Sequence, residues 1–313
     1  MKKTYTAIFM GTPDFAVPSL KALHTCGHDI ALVVTRPDRP RGRGRKVYPP
    51  SVKTAALELD LEVVQPESIK TPELEARIAQ IKPDFIVVAA FGNILPANIL
   101  AIPRIATINI HASLLPYYRG PAPINWAIIK GESRTGVTTM LMDEGLDTGD
   151  ILLTAEEIIT AEDTAATVHD RLALRGAELL IKTLEAYADD SIRPVSQNDA
   201  RATYAPMLKK QDGRINWKQP AEKLELFIRG MTPWPGAFTF HEGNRLKIFR
   251  TRPVVKSFEV PAGTVLPCFP DELEIATGKD ALSILEIQGP SGKRLRIGDF
   301  LRGYKIEPGT RFQ

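Results

Sequence analysis

At 313 residues, with 43% hydrophobic and 25% charged side chains, the chain has the composition of a folded protein with room for two domains, which excludes wholesale disorder. Its net charge is only +3 but unevenly spread: residues 1–206 are slightly acidic, whereas Met207–Gln313 hold 18 Lys/Arg against 12 Asp/Glu. No apolar run approaches the ~20 residues of a membrane span, and the two cysteines, Cys26 and Cys268, lie far apart and away from any His cluster, which argues against disulfides or structural zinc and for a reducing, cytoplasmic setting.

Residues 6–10 (TAIFM) follow a basic start, but GTPD interrupts the apolar run and no small-residue cleavage site follows. They read as a first β-strand, not a signal peptide. Residues 15–23 read as a helix, 29–35 (DIALVVT) as a strand, 62–65 (EVVQ) as a short strand and 84–90 (DFIVVAA) as another. Residues 71–81 carry helical spacing at Leu74, Ile78 and Ile81, and 107–110 (TINI) make a fifth strand. Short apolar strands alternating with helices predict a Rossmann-like, doubly wound α/β domain with a mostly parallel sheet. GTPDF has one glycine where a dinucleotide fingerprint needs three, so NAD is not expected.

After the second strand, RPDRPRGRGRKVYPP (residues 36–50) breaks the pattern. Arg36, Arg39, Arg41, Arg43, Arg45 and Lys46 stand against one acid, Asp38, with Gly42 and Gly44 between them. Such a run cannot enter a core and suits a surface loop that meets a polyanion.

Residues 136–142 and 150–159 read as two more strands. A long helix from about 163 to 187 follows, with Thr160 and Asp163 approximating a capping box and an apolar stripe at Val168, Leu172, Leu179, Leu180 and Leu184. Residues 191–205 are polar and aperiodic, as in a crossing between domains. Beyond Met207 come a helix near 221–229 and short strands at 237–241, 246–250, 263–266, 274–276, 282–288 and 293–297, the pattern of a smaller β-barrel. The expected division is a domain over 1–189, a linker over 190–206 and a C-terminal domain over 207–313.

The densest polar cluster ends the fifth strand. By two-residue periodicity Asn109 and His111 share a face, at the strand end where open α/β sheets bind ligands. MDEGLDTGDI (residues 142–151) holds Asp143, Glu144, Asp147 and Asp150 without the ligand alternation of a calcium loop, so a turn with one functional carboxylate is expected and no metal. An amide can donate to a developing oxyanion, His can exchange a proton near neutrality, and a carboxylate can hold an imidazole. With no Ser or Cys nucleophile, the set fits direct attack of an external nucleophile on a carbonyl.

NIHASLLPYYRG, followed by DEGLDTGDI with its third acid 36 residues after the histidine, resembles the folate-dependent formyltransferase family. The resemblance implies 10-formyltetrahydrofolate as formyl donor and Asn109, His111 and Asp147 as the catalytic set. It also implies a folate-contacting loop at Ser113, Leu114, Leu115 and Pro116, an apolar pterin wall at Phe91, Gly92, Asn93, Ile94 and Leu95, and an OB-like C-terminal barrel. The family's acceptors are glycinamide ribonucleotide, a 4-amino sugar nucleotide, water or the amino group of initiator methionyl-tRNA. Glycinamide ribonucleotide enzymes resemble the first domain alone. The basic loop and basic C-terminal third favour the tRNA, since a small acceptor needs one or two cations rather than six. RINW (214–217) and TPWPGAF (232–238) resemble the C-terminal region of members that act on it. The six cations are then the expected tRNA contacts, and the expected form is a monomer. A sugar-nucleotide formyltransferase, a 10-formyltetrahydrofolate hydrolase and, in a different class, a non-catalytic RNA-binding protein are the alternatives.

Overall fold

The computed structural model describes residues 3–41, 46–290 and 292–313. Its contacts divide into two compact units. One comprises Met1–Pro123, Arg134–Ile158 and His169–Pro206, and the other Ile124–Ser133, Ile159–Val168 and Met207–Gln313.

The chain runs β1 (Thr6–Gly11), α1 (Val17–Thr25), β2 (Asp29–Val34), β3 (Arg39–Arg41), β4 (Lys46–Tyr48), α2 (Ser51–Glu58), β5 (Val63–Val64), α3 (Pro72–Ile81), β6 (Phe85–Ala89), α4 (Ala97–Leu100) and β7 (Ala106–His111). α5 (Pro123–Ile129), β8 (Arg134–Leu141), β9 (Ile151–Ile158) and α6 (Ala165–Ala188) follow. The sheet of the first unit has the order β5-β2-β1-β6-β7-β8-β9. β5 to β7 are parallel, while β8 and β9 add antiparallel at one edge. This is the mostly parallel Rossmann-like sheet expected from the apolar runs.

Each central strand is buried on both faces, which explains why its sequence lacks alternation. Ile8, Met10, Leu32, Val34, Ile86 and Val88 pack with Leu74 and Ile78 of α3, Ile99 of α4, and Phe91 and Leu95 from the loop after β6. α6 lies close over β7 and β8 because Gly176 has no side chain. A Cβ there would come within 3.0 Å of Ile110 and 3.3 Å of Val137.

Residues 36–50 contain more structure than a plain loop. β3 and β4 pair antiparallel through Arg39–Tyr48, Pro40–Val47 and Arg41–Lys46, forming a two-stranded ribbon outside the main sheet. The aperiodic residues 190–206 belong to the first unit: Val195 bridges to Ile151, and Thr203 accepts from the Arg119 N–H.

The second unit contains α7 (Ala221–Met231), β10 (Ala237–His241), β11 (Asn244–Val254), β12 (Val265–Leu266), β13 (Glu274–Ala276), β14 (Ala281–Gln288), β15 (Arg294–Arg296) and α8 (Ile297–Leu301). Its antiparallel sheet runs β10-β11-β14-β13-β12 with β15 also on β14, the half-barrel form of the expected OB-like domain. β11 is longer than its apolar core suggests because register shifts between Ile248 and Thr251 let it bend and continue along β14.

Candidate active site

β7 pairs with β6 on one side and β8 on the other, with Asn109 opposite Val88 and Met140 and His111 opposite Thr138. The strand ends at His111, so both polar residues sit at its carboxyl end on one face. His111 is buried and Asn109 partly so. The Nε2–H of His111 donates to the Tyr118 carbonyl at 3.0 Å, while Nδ1 faces Asp147 Oδ2 at 3.5 Å. Both ring nitrogens thus face acceptor oxygens, an arrangement that accommodates two N–H donors.

Asp147 lies in the connection between β8 and β9. Of the acids there, Asp143 is occupied locally, accepting from the Gly145 N–H and the Thr148 hydroxyl at 3.0 and 2.8 Å. Asp147 instead reaches across the chain: its Oδ2 also accepts from the Gly120 N–H at 2.8 Å. Gly120 has φ +114°, and a Cβ there would meet the Ala205 carbonyl at 2.9 Å, so glycine is required at this close approach. The structure therefore brings His111 and Asp147 together at the end of the strand that also carries Asn109.

The Ser113–Pro116 loop begins two residues after His111. Ser113 is fully buried and donates to the Tyr117 carbonyl at 2.6 Å. Thr138 donates to the Ser113 carbonyl at 2.7 Å and accepts from the Leu115 N–H at 3.1 Å, which fixes the loop against β8. Leu115 is buried, while Leu114 and Pro116 are partly exposed. In the Phe91–Leu95 segment the roles divide. Phe91 and Leu95 are 2% and 1% exposed and belong to the core, whereas Ile94 is 64% exposed beside exposed Gly92 and Asn93. The Phe91 carbonyl accepts from Thr12 Oγ1 at 3.1 Å.

Among the six basic residues, Arg36 lies against the segment after β6, donating to the Gly92 carbonyl and, at 3.4 Å, to Asn93 Oδ1. Arg39 is exposed on the ribbon. Arg41 and Lys46 are described through their backbone pairing alone, and Arg43 and Arg45 lie outside the described residues. The root of the ribbon is anchored by Asp38, which accepts from Lys53 Nζ at 2.8 Å and Gln65 Nε2 at 2.6 Å. Hydrogen bonds from Lys53 and then Gln65 hold the Asp38 carboxyl below its ordinary range. Gln65 Nε2 also donates to the Arg36 carbonyl at 2.8 Å.

Sequence reasoning missed Thr138, Arg119 and Gln197. Arg119 stands inside the YYRG motif, and its burial (2% exposed) was the missing clue. Gln197 bonds to residues 48 to 78 positions away, a relation no local pattern reveals.

The mostly parallel sheet thus sets the His111–Asp147 pair at the carboxyl end of a central strand that also carries the Asn109 amide. The formyl transferase domain matches residues 4–184 and the formyl transferase C-terminal domain matches residues 207–305, and the chain belongs to this family. It is 49% identical over 302 residues to the methionyl-tRNA formyltransferase of Citrifermentans bemidjiense, covering 96% of this chain and 94% of that one. It is 50% identical over 304 residues to the methionyl-tRNA formyltransferase of Caldanaerobacter subterraneus subsp. tengcongensis, covering 97% and 98%. In fold it is similar to the N-formyltransferase from Helicobacter canadensis in complex with folinic acid and dTDP-3-aminofucose, with TM-score 0.65, 19% identity and coverage of 90% of this chain and 99% of that one. It is also similar in fold to HypX from Aquifex aeolicus in complex with tetrahydrofolic acid, with TM-score 0.64, 19% identity and coverage of 98% and 51%.

Proposed function

We propose that the chain transfers the formyl group of 10-formyltetrahydrofolate to the α-amino group of initiator methionyl-tRNA. The observation that carries this reading is the pairing of His111 Nδ1 with Asp147 Oδ2 at 3.5 Å, at the end of the strand bearing Asn109. The near-half identity to two methionyl-tRNA formyltransferases over almost the whole chain supports the choice of acceptor.

In this reading the acceptor amine attacks the formyl carbon, forming a C–N bond and a tetrahedral oxyanion. The Asn109 amide and a His111 N–H donate to that oxygen. The His111 Nε2–H, which meets the Tyr118 carbonyl at 3.0 Å, would turn to that oxygen. Asp147 orients the imidazole and, through a water, passes the amine proton to N10 as the carbon–N10 bond breaks. The pterin would rest on the exposed Ile94 and the backbone of Gly92 and Asn93, with Phe91 and Leu95 supporting them from the core. Ser113, Leu114, Leu115 and Pro116 would border the folate on the β7 side.

Residues 1–189 would carry the chemistry, 190–206 the passage to the second domain, and 207–313 further tRNA contacts. Arg36, Arg39, Arg41, Arg43, Arg45 and Lys46 would meet tRNA phosphates, with Arg36 first leaving the Gly92 carbonyl or acting from it. We place the enzyme in the cytoplasm as a monomer. The test incubates the protein with 10-formyltetrahydrofolate and, separately, charged initiator tRNA, a 4-amino sugar nucleotide and water alone. Formyl transfer to the charged tRNA alone is expected. Transfer to the sugar nucleotide, or folate hydrolysis, without transfer to tRNA would overturn the acceptor.

A further inference from the structure

The turn that carries Asp147 is held by a residue outside both motifs. Gln197 follows α6 in sequence, in the aperiodic stretch that belongs to the first unit. Its Nε2 donates to the Asp147 carbonyl at 2.8 Å and to the Gly149 carbonyl at 2.7 Å. Its Oε1 accepts from Arg119 Nε at 3.0 Å and Nη2 at 2.8 Å. The orientation of this amide is forced, because carbonyls only accept and a guanidinium only donates. Arg119 Nη2 also donates to Asp199 Oδ1 at 2.7 Å. The next residue, Gly120, supplies the N–H that holds the Asp147 carboxylate. A closed circuit of bonds therefore links the loop after His111, through Gln197, to the backbone and side chain of Asp147.

That backbone is in a conformation that needs such support. Asp147 has φ +54°, in the left-handed region that a non-glycine residue occupies only when its surroundings over-determine it. Its carboxylate also has little distance to spare, since Oδ2 already stands 3.5 Å from the imidazole. If the two amide donors are lost, the turn can relax, and a movement of about 1 Å takes the carboxylate out of pairing range.

We propose that Gln197 is a positioning residue for the formyl transfer: its amide holds the Asp147 turn in the conformation that aims the carboxylate at His111. This rests on the role given above to Asn109, His111 and Asp147. Gln197 acts only through Asp147 and touches no reacting atom.

Two variants separate this role from simple anchoring of Arg119. Gln197→Glu keeps the side-chain length and an acceptor for Arg119 but sets an oxygen against the two carbonyls. Gln197→Leu removes both functions. Steady-state formyl transfer to charged initiator tRNA is measured for each, alone and in an Asp147→Asn background, with thermal unfolding midpoints as the check on folding. Both variants are expected to lose roughly 10- to 100-fold in kcat, with KM for donor and acceptor almost unchanged. In the Asp147→Asn background the further loss is expected to nearly vanish, because the two residues act as one unit. Wild-type kcat in Gln197→Glu, a rise in KM at constant kcat, or losses that multiply in the double variant would each overturn the proposal. If Gln197→Leu does not fold, Gln197→Glu alone decides. Full activity in Asp147→Asn would instead bring down the catalytic reading beneath it, so the two failures are distinct.

Discussion

Thr138 shows how a single side chain fixes the loop that follows His111. Its hydroxyl is fully buried, donates to the Ser113 carbonyl and accepts from the Leu115 N–H, filling both of its roles in one loop. Thr138→Val keeps the shape but leaves a buried carbonyl and a buried N–H without partners. It is expected to lower stability by about 1–3 kcal/mol in urea unfolding. An unchanged unfolding midpoint would mean that the loop finds other partners. At this scale the candidate residues Asn109, His111 and Asp147 stood out because their motifs are contiguous and chemically unusual, and the fold sets His111 against Asp147. Thr138 was not, since a threonine in a strand such as GVTTMLM is ordinary. Gln197 was hidden for another reason: its partners are distant in sequence and are backbone carbonyls or a guanidinium, which leave no local signature.

Among the elements, the β3–β4 ribbon is where the sequence was hardest to read. The proline in β3 argues against a strand there, and the ribbon's pairing comes from backbone complementarity rather than side-chain pattern. Its anchor is polar, with Asp38 held by Lys53 and Gln65 beside the Arg36 carbonyl. Because the Asp38 carboxyl is held below its ordinary value, its contribution is present above the unfolded-state value and lost as pH falls through the folded one. The difference in thermal midpoint between wild type and Asp38→Asn should stay constant from neutrality down to the ordinary carboxylate range near pH ~4, then shrink below it. A difference that already disappears between pH 7 and 5 would contradict this anchoring. The parallel strands were legible because burial on both faces leaves continuous apolar runs. The length of β11 was not, since a bent, register-shifted strand interrupts its own alternation.

Across the whole molecule, the order of the main-sheet strands was readable from apolar spacing, whereas the short helices α2, α4, α5 and α8 and the antiparallel placement of β8 and β9 were not. Two adjacent strand signals specify neither direction nor edge. Composition likewise showed the basic C-terminal third, whereas the membership of Ile124–Ser133 and Ile159–Val168 in the second unit depends on contacts that only the folded chain reveals. The function proposed for the assembled chain depends on one local event, stabilisation of an oxyanion by Asn109 and His111. Single-turnover formyl transfer from 10-formyltetrahydrofolate to charged initiator tRNA tests that event directly, using Asn109→Ala and His111→Ala with donor binding titrated in parallel. Each variant should bind the donor as wild type does and transfer the formyl group roughly 10²- to 10³-fold more slowly. Transfer within a few-fold of wild type by either variant would contradict the mechanism.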